Sequence, residues 1–430
     1  MFLDLDGSMA YSVVSHHYWG SPGGGQLVCA SAAIALDSVG LEPILTGTFR
    51  FDPGRYVDWY GIDISRFRVY TLMPVNIKAF GLWTRLYMWR PAKKVLGNYD
   101  TRVMFIDEEA YKPLVGYRSR GLKIVEYVHF PFEVIVDPRF RGSGLAYGED
   151  PYIMERYGKF PMNIYWGVFT RLLPRYLREN PFRDADLVLT NSRWTAGVVR
   201  MVYGEEPVVL NPPIPPNMAI VGSPKPLSDR LPLVVMLGRF SEEKRYHWVV
   251  TELMPRLVKE FPSAKLVIFG GATTRTQLGY VNRVAGLARN TGFGVKVINE
   301  GNVINELDEE HQVYLRLNAP RAEINETMDR ARAFLHATIN EHWGIAVAEA
   351  MARGLPVVVH RSGGAWSDLA MNGEVGLGYE GVDEAVEALA KLLTDEKAWG
   401  HYSGKSLGRV GEITFDKFVS RLSELVKRLA

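Results

Sequence analysis

The feature that most limits how this chain can fold is a double series of short apolar runs and longer helical patterns, interrupted once near the middle. Met9 to Ser15, Arg68 to Met73, Val103 to Asp107, Ile124 to Phe130 and Leu187 to Thr190 read as buried strands, and Gly25 to Val39 as a helix. Strands separated by helices require crossovers, and crossovers make a parallel sheet. Asn211-Pro-Pro-Ile-Pro-Pro216 and Gly222-Ser-Pro-Lys-Pro226 continue neither element and read as a linker. Beyond it come strands at Leu233 to Leu237, Lys265 to Gly270 and Val295 to Ile298, and helices near Lys244 to Phe261 and Gln277 to Arg289. Val382 to Leu393 and Phe415 to Leu429 also carry helical periodicity. The expected fold is α/β: two Rossmann-like, doubly wound domains over 1–213 and 214–413, facing each other across a cleft. In such sheets ligands bind beyond the carboxyl ends of the strands.

Composition agrees. A chain of 430 residues exceeds one ordinary core, and 47% apolar content with mixed charge describes a globular protein. A net charge of +2 gives no general attraction to nucleic acid. One cysteine, Cys29, excludes an internal disulfide framework and a cysteine zinc site, which suits a reducing compartment. Met1 to Ser8 has no basic stretch followed by an apolar core, and no run approaches the roughly 18 to 20 apolar residues of a membrane span. The expectation is a cytoplasmic chain, soluble or peripheral.

The chemistry concentrates around two carboxylates, Glu341 and Glu349, with seven residues between them. The run Ile345 to Met351 is apolar enough to be buried, so Glu349 needs a bonding partner or costs several kcal/mol. Gly354 and Pro356 end that helix, and its start near Gly344 and Ile345 turns backbone N–H groups toward an anion. After the strand ending at Leu237, Gly238 admits a ligand to the backbone, Arg239 offers a planar fork and Lys244 a point charge, a set able to hold a diphosphate. The plainer readings are a turn with a solvated charge cluster, and a Glu349 paired with an arginine.

Ser21-Pro-Gly-Gly-Gly25 lies between the first strand and its helix. Gly23, Gly24 and Gly25 there let a phosphate or sugar approach the helix start, unless the loop merely turns the chain. His129 ends a strand at the ligand edge of the sheet. His16 and His17 end the first strand and read as structural.

These motifs, in this order and spacing, resemble the GT-B glycosyltransferases of family 4. More narrowly, Tyr127-Val-His-Phe-Pro131, Asn191-Ser-Arg-Trp-Thr195, Asn340-Glu-His-Trp-Gly-Ile345 and His360-Arg-Ser-Gly-Gly364 resemble the GDP-mannose-dependent alpha-1,2-mannosyltransferases that extend a lipid-linked oligosaccharide. The resemblance implies a retaining transfer of a hexose from a nucleotide-diphosphate sugar to an acceptor hydroxyl. It places donor binding on Gly238, Arg239, Lys244, Glu341, Gly344, Ile345 and Glu349, with Glu349 on the ribose hydroxyls. It gives catalytic roles to His129, Glu341, Arg239 and Lys244, assigns the acceptor to the first domain, and folds the last helix, 414–430, back onto that domain. It implies no cofactor and no obligatory metal, and a glycan or polyprenyl-linked acceptor. The alternative is a nucleotide-sugar-binding or membrane scaffold protein without catalysis.

Three short patterns are discounted. Asp4-Leu-Asp-Gly-Ser8 has too few residues before it for a phosphatase strand, Gly376, Gly378 and Gly381 lack a βαβ context, and Asp184-Ala-Asp186 precedes its strand. The aromatic and basic segments 80–94 and 160–178 fit either a membrane surface or an amphipathic helix packed on the core.

Overall fold

The computed structural model describes residues 10–75, 81–140, 145, 157–299 and 307–429. It divides into two compact units: Met1–Glu149, Arg156–Met218 and Ile413–Ala430 form unit 1, and Asp150–Glu155 with Ala219–Glu412 form unit 2.

Unit 1 is built on β1 (Tyr11–Ser15), β2 (Glu42–Phe49), β3 (Arg68–Met73), β4 (Thr101–Ile106), β5 (Lys123–Val128), β6 (Leu187–Thr190) and β7 (Val208–Val209). They form one parallel sheet in the order β3-β2-β1-β4-β5-β6-β7. Val13, Ile44, Met104, Ile106, Ile124 and Val188 supply the apolar layer on one face, against Met88, which caps the Trp89–Asn98 helix, and Ala92 and Val95 within it. Helix α1 (Gly24–Ser38) follows β1. The strand order reverses between β1 and β4, which leaves an opening past their carboxyl ends.

Unit 2 repeats this plan with β8 (Leu233–Leu237), β9 (Lys265–Gly270), β10 (Val295–Ile298), β11 (Val313–Leu317), β12 (Ala333–His336), β13 (Val357–His360) and β14 (Leu377–Tyr379). All run parallel in the order β10-β11-β9-β8-β12-β13-β14, reversing between β8 and β12. Helix α2 (Arg321–Arg330) follows β11, and α3 (Ile345–Ala352) follows β12. The final helix, α4 (Phe415–Lys427), is capped by Thr414 and packs on α1, where Ser423 Oγ donates to Ala35 O at 3.1 Å.

Several elements depart from the sequence reading for identifiable reasons. Pro43 and Gly47 disguise β2 as a loop, yet Gly47 is a close-approach position: a Cβ there would fall 2.7 Å from Trp19 and 2.9 Å from His16 O. Arg316 disguises β11, and its buried guanidinium is matched by both Glu323 oxygens at 2.9 and 2.8 Å. The helix expected over Lys244 to Phe261 is broken, with a wide turn at Val249–Leu253 just ahead of Pro255, whose missing N–H cannot continue an α ladder. The proline segment belongs to unit 1 as far as Met218: Ile214 N donates to Ile413 O at 2.9 Å and Asn217 N to Tyr60 O at 3.1 Å.

A buried ionic network fastens the carboxyl side of β5. Arg178, fully buried, reaches Glu126 at 2.7 Å, Glu133 at 2.9 Å and Tyr203 at 3.0 Å, while Tyr111 donates to Glu126 at 2.5 Å. Burial already pushes Glu126 up to about 7, so removing the cation would leave it to take a proton and leave Glu133 without its arginine. Arg178→Met is therefore expected to cost about 3 to 5 kcal/mol in urea denaturation of unit 1; a loss under about 1 kcal/mol would mean the network is not ionised as drawn.

Candidate active site

In unit 2 the polar groups collect past the ends of β8 and β12. Gly238 leaves β8 with its N–H on Phe269 O at 3.0 Å. A Cβ on Gly238 would fall 3.3 Å from the Lys244 stem and 2.9 Å from Tyr246 Oη, so the absent side chain is what lets Lys244 lie back over this turn. Lys244 Nζ then donates to Glu341 Oε2 at 2.8 Å, and His336 Nε2 lies 3.0 Å from the same oxygen. Burial would raise the Glu341 pKa, but Lys244 and His336 outweigh it and hold the carboxyl well below its ordinary range. Burial dominates at His336 and lowers its pKa.

The backbone around Glu341 is braced by the segment 362–364. Asn340, at φ 55°, donates its N–H to Ser362 Oγ at 2.7 Å, and Gly364 N–H donates to Glu341 O at 2.7 Å. Gly363, at φ 76°, passes so close that a Cβ would lie 2.2 Å from Glu341 O. Gly344, at φ 96°, caps α3, and its carbonyl receives the Val347 and Ala348 N–H groups. The Gly344 to Ile345 junction therefore has the geometry of a helix start.

Glu349 is buried in α3 as its apolar surroundings require, but it does have a protein partner. Arg321, at the start of α2, meets it with two parallel bonds of 3.0 and 3.1 Å. This is the plainer of the two sequence readings, a carboxylate paired with an arginine; which arginine is not legible in the sequence, because β11 and α2 are not recognised there. Arg321 remains accessible, its side chain 39% exposed against 6% for Glu349. Arg239 extends outward with 61% exposure, 3.5 Å from Glu243.

In unit 1 three residues from three strand ends converge. His16 follows β1, Asp107 follows β4 and His129 follows β5. His16 Nδ1 lies 2.9 and 2.8 Å from the two Asp107 oxygens, and His129 Nε2 lies 2.9 Å from Oδ2. Gly25 covers them: a Cβ there would meet His16 at 3.0 Å, Asp107 at 3.2 Å and His129 at 3.4 Å. Burial would lower the His16 pKa, yet Asp107 and Glu108 hold it above its ordinary value; the two imidazoles keep Asp107 far below the carboxylate range despite burial. Beside them, Glu108 bonds His17 and Arg85, which outweigh burial and lower its pKa to about 2. Gly23 is tied by Tyr60 Oη at 2.6 Å from its nitrogen, so the glycine loop is anchored from below. The side chains of His16, Cys29 and Asp107, and of His16, His17 and Glu108, gather ligand atoms within 4.8 Å. In both groups a histidine and a carboxylate already bond each other, and neither group is read as a metal site.

The discounted patterns have structural uses. Asp186 holds Arg118 at 3.1 Å and Ile124 N–H at 2.9 Å, and a Cβ on Gly378 would fall 2.3 Å from Trp366. Asp4 to Ser8 lie outside the described residues. The aromatic segments divide: Leu86, Phe132, Phe169 and Leu173 form a buried cluster, whereas Phe160 and Ile164 are exposed. Phe80 lies outside the described residues. Among the described residues no helix is long and apolar enough to cross a membrane.

Comparison with known proteins gives this geometry a family. Residues 223–405 match the family model of glycosyl transferases group 1. The human GDP-Man:Man(3)GlcNAc(2)-PP-Dol alpha-1,2-mannosyltransferase is 24% identical over 425 residues, covering 88% of this chain and 78% of the human one. Its namesake in Dictyostelium discoideum is 21% identical over 328 residues, covering 72% and 60%. Within unit 2 the chain is similar to the group 1 glycosyltransferases. Among solved structures, Anabaena HepE in complex with UDP and glucose is similar at a TM-score of 0.64 and 15% identity, covering 97% of this chain and 99% of that one; the fold is GT-B.

Two expectations test this glycosyltransferase's charge pairs. Arg321→Ala leaves a buried carboxylate unpaired and should lower the stability of unit 2 by about 1 to 3 kcal/mol, a loss that adding Glu349→Gln largely restores; full additivity in that cycle would dissolve the pair. His16 binds its proton more tightly when folded, so its stabilisation is complete below about pH 6.5 and fades as pH climbs through the raised value. Asp107 acts oppositely, its contribution present above about pH 3.8 and lost on acidification. The thermal stability of unit 1 should fall on the alkaline side, and His16→Gln should flatten that slope; an unchanged slope would assign it elsewhere.

Proposed function

We propose that this glycosyltransferase moves mannose from GDP-mannose to a hydroxyl of a lipid-linked oligosaccharide, keeping the anomeric configuration. The observation that carries the reading is Lys244, held 2.8 Å from Glu341 at the opening between β8 and β12. A cation kept in place by a carboxylate, beside a glycine turn and a helix start, suits a diphosphate leaving group. The names of the human and Dictyostelium relatives supply the choice of GDP-mannose and of the lipid-linked acceptor.

In this reading Lys244 and Arg239 neutralise the diphosphate while the C1–O bond breaks, and the N–H groups around Gly344 and Ile345 share the growing charge. The departing phosphate oxygen takes the proton of the incoming hydroxyl, whose oxygen bonds C1 on the same face. The positive charge comes from these residues, so no metal step is required. Once Lys244 turns to the phosphate, Glu341 has a free lone pair for a sugar hydroxyl, and Glu349 accepts from the ribose beside Arg321. Unit 1 is assigned the acceptor, with Gly23 to Gly25 as contact residues, and His129 keeps the catalytic role that the resemblance implies, at the reacting sugar and its developing positive charge. With a lipid-linked acceptor the reaction lies at a membrane surface, assigned here to the cytoplasmic face, where exposed Phe160 and Ile164 would meet it.

Calorimetry across GDP-, UDP- and ADP-sugars, followed by transfer to a polyprenyl-linked acceptor and NMR of the new anomeric centre, tests this reading. GDP-mannose should bind best, Lys244→Ala and Arg239→Ala should each weaken it by about 1.5 to 3 kcal/mol, and the product should retain configuration. Tight donor binding with neither hydrolysis nor transfer would point to a binding protein; preference for another base would overturn the donor.

A further inference from the structure

Guanine enters the functional reading only through the relatives' names, yet Arg321 gives this chain its own means of choosing a base. Arg321 uses only one side of its guanidinium on Glu349. Nη1 donates to Oε2 at 3.0 Å and Nη2 to Oε1 at 3.1 Å, the end-on fork. Nε–H and the second hydrogen of Nη2 make a side-on fork, and among the described residues neither has a protein partner. With 39% of the side chain exposed, a ligand can reach it. The fork is also held still. Pro320, at φ −65°, leads into α2, and Arg316 grips Glu323 in the first turn of α2 with bonds of 2.9 and 2.8 Å. Asn318 ties the loop before α2 to the one after β9: its N–H donates to Gly270 O at 3.0 Å and its Oδ1 accepts from Ala272 N–H at 3.0 Å. The loop after β8 joins them, Phe240 N–H donating to Gly271 O at 3.2 Å. Gly270 lies so near Gly238 O that a Cβ would fall 2.4 Å from it, and the three loops form one low, stitched floor beneath the fork. Donors fixed in this way cost a ligand little ordering.

We propose that Arg321 selects the donor's base, its side-on fork donating to O6 and N7 of guanine while its end-on fork stays on Glu349. The inference rests on the reading that Glu349 accepts from the ribose, since the base is joined to the carbon beside the one bearing the 2′-hydroxyl. Glu349 can serve both, because a carboxylate offers about four lone-pair sites and Arg321 occupies two. Guanine sets two acceptors side by side on the O6 and N7 edge, which two parallel N–H groups match. Adenine sets an amino donor beside N7, and uracil presents O4 with no second acceptor next to it. An amino group facing the fork leaves an N–H unpaired, so the arrangement rejects adenine as well as accepting guanine.

Calorimetry of the full chain with sugar-free probes, GDP, IDP, 7-deaza-GDP, ADP and UDP, tests it. IDP keeps O6 and N7 but lacks the 2-amino group; 7-deaza-GDP keeps O6 and loses N7. The wild type should bind GDP and IDP alike, and 7-deaza-GDP, ADP and UDP about fivefold to a hundredfold more weakly. Arg321→Lys keeps a donor for Glu349 but has no fork, so it should bind GDP and 7-deaza-GDP alike, with the loss falling on GDP and UDP affinity little changed. Arg321→Gln, checked for folding by thermal denaturation, should show the same loss of discrimination. A wild type indifferent to N7, a wild type that separates IDP from GDP instead, or an Arg321→Lys variant that still prefers GDP to 7-deaza-GDP would each overturn the proposal. If the wild type prefers UDP, the GDP-mannose reading falls and this assignment with it; if it prefers GDP while Arg321→Lys still distinguishes N7, only the assignment falls. If Arg321→Lys does not fold, the wild-type response to N7 and the Arg321→Gln variant carry the decision.

Discussion

Everything in unit 2 that bears on chemistry depends on one oxygen, Glu341 Oε2, which receives both Lys244 and His336. A mostly buried ammonium and a mostly buried carboxylate are each costly alone, and together they hold a positive charge at the sheet's opening without a ligand. The neighbouring sequence serves that pairing. Gly238 clears the path of the lysine stem, Gly363 lets a second loop press against the Glu341 backbone, and Ser362 fixes Asn340 in its left-handed conformation.

Unit 1 solves a related problem with different groups. Its sheet also reverses order, and the residues that follow β1, β4 and β5 also share one carboxylate, yet the partners of Asp107 are imidazoles instead of an ammonium. The difference matters for ligands. Lys244 offers an amine with donors only, suited to a diphosphate; a histidine bound to an aspartate can accept as well as donate, suited to hydroxyls. The chemistry at each opening thus follows from which side chain the carboxylate restrains.

Much of this was legible in the sequence. Alternating apolar runs gave most strands of both sheets because a parallel sheet buried on both faces leaves unbroken apolar stretches. The turn at Gly238 and the start of α3 were legible because glycine stands out there against apolar neighbours. The failures share a cause: a residue that local rules treat as a breaker was satisfied by a distant partner. Arg316 hid β11 until Glu323 was seen to match it, and losing β11 and α2 also lost Arg321, the partner of Glu349. Pro43 and Gly47 hid β2, although Gly47 is there for the approach of Trp19. His16 reads as structural and is buried, but its partner Asp107 was not legible, because the tie spans 91 residues, a distance over which sequence spacing gives no geometric signal. His336 was passed over for the same kind of reason, being buried at the end of an apolar strand with its carboxylate in the following loop.

The central claim is that the second unit grips a nucleoside diphosphate through Lys244 and the start of α3, with Glu349 on the pentose. A crystal structure of the chain with GDP-mannose tests it most directly. The account predicts phosphate oxygens within hydrogen-bonding distance of Lys244 Nζ and the N–H groups around Ile345, ribose hydroxyls on Glu349, and Glu341 released from Lys244. A bound nucleotide that left Lys244 paired with Glu341 and Glu349 paired only with Arg321 would contradict it.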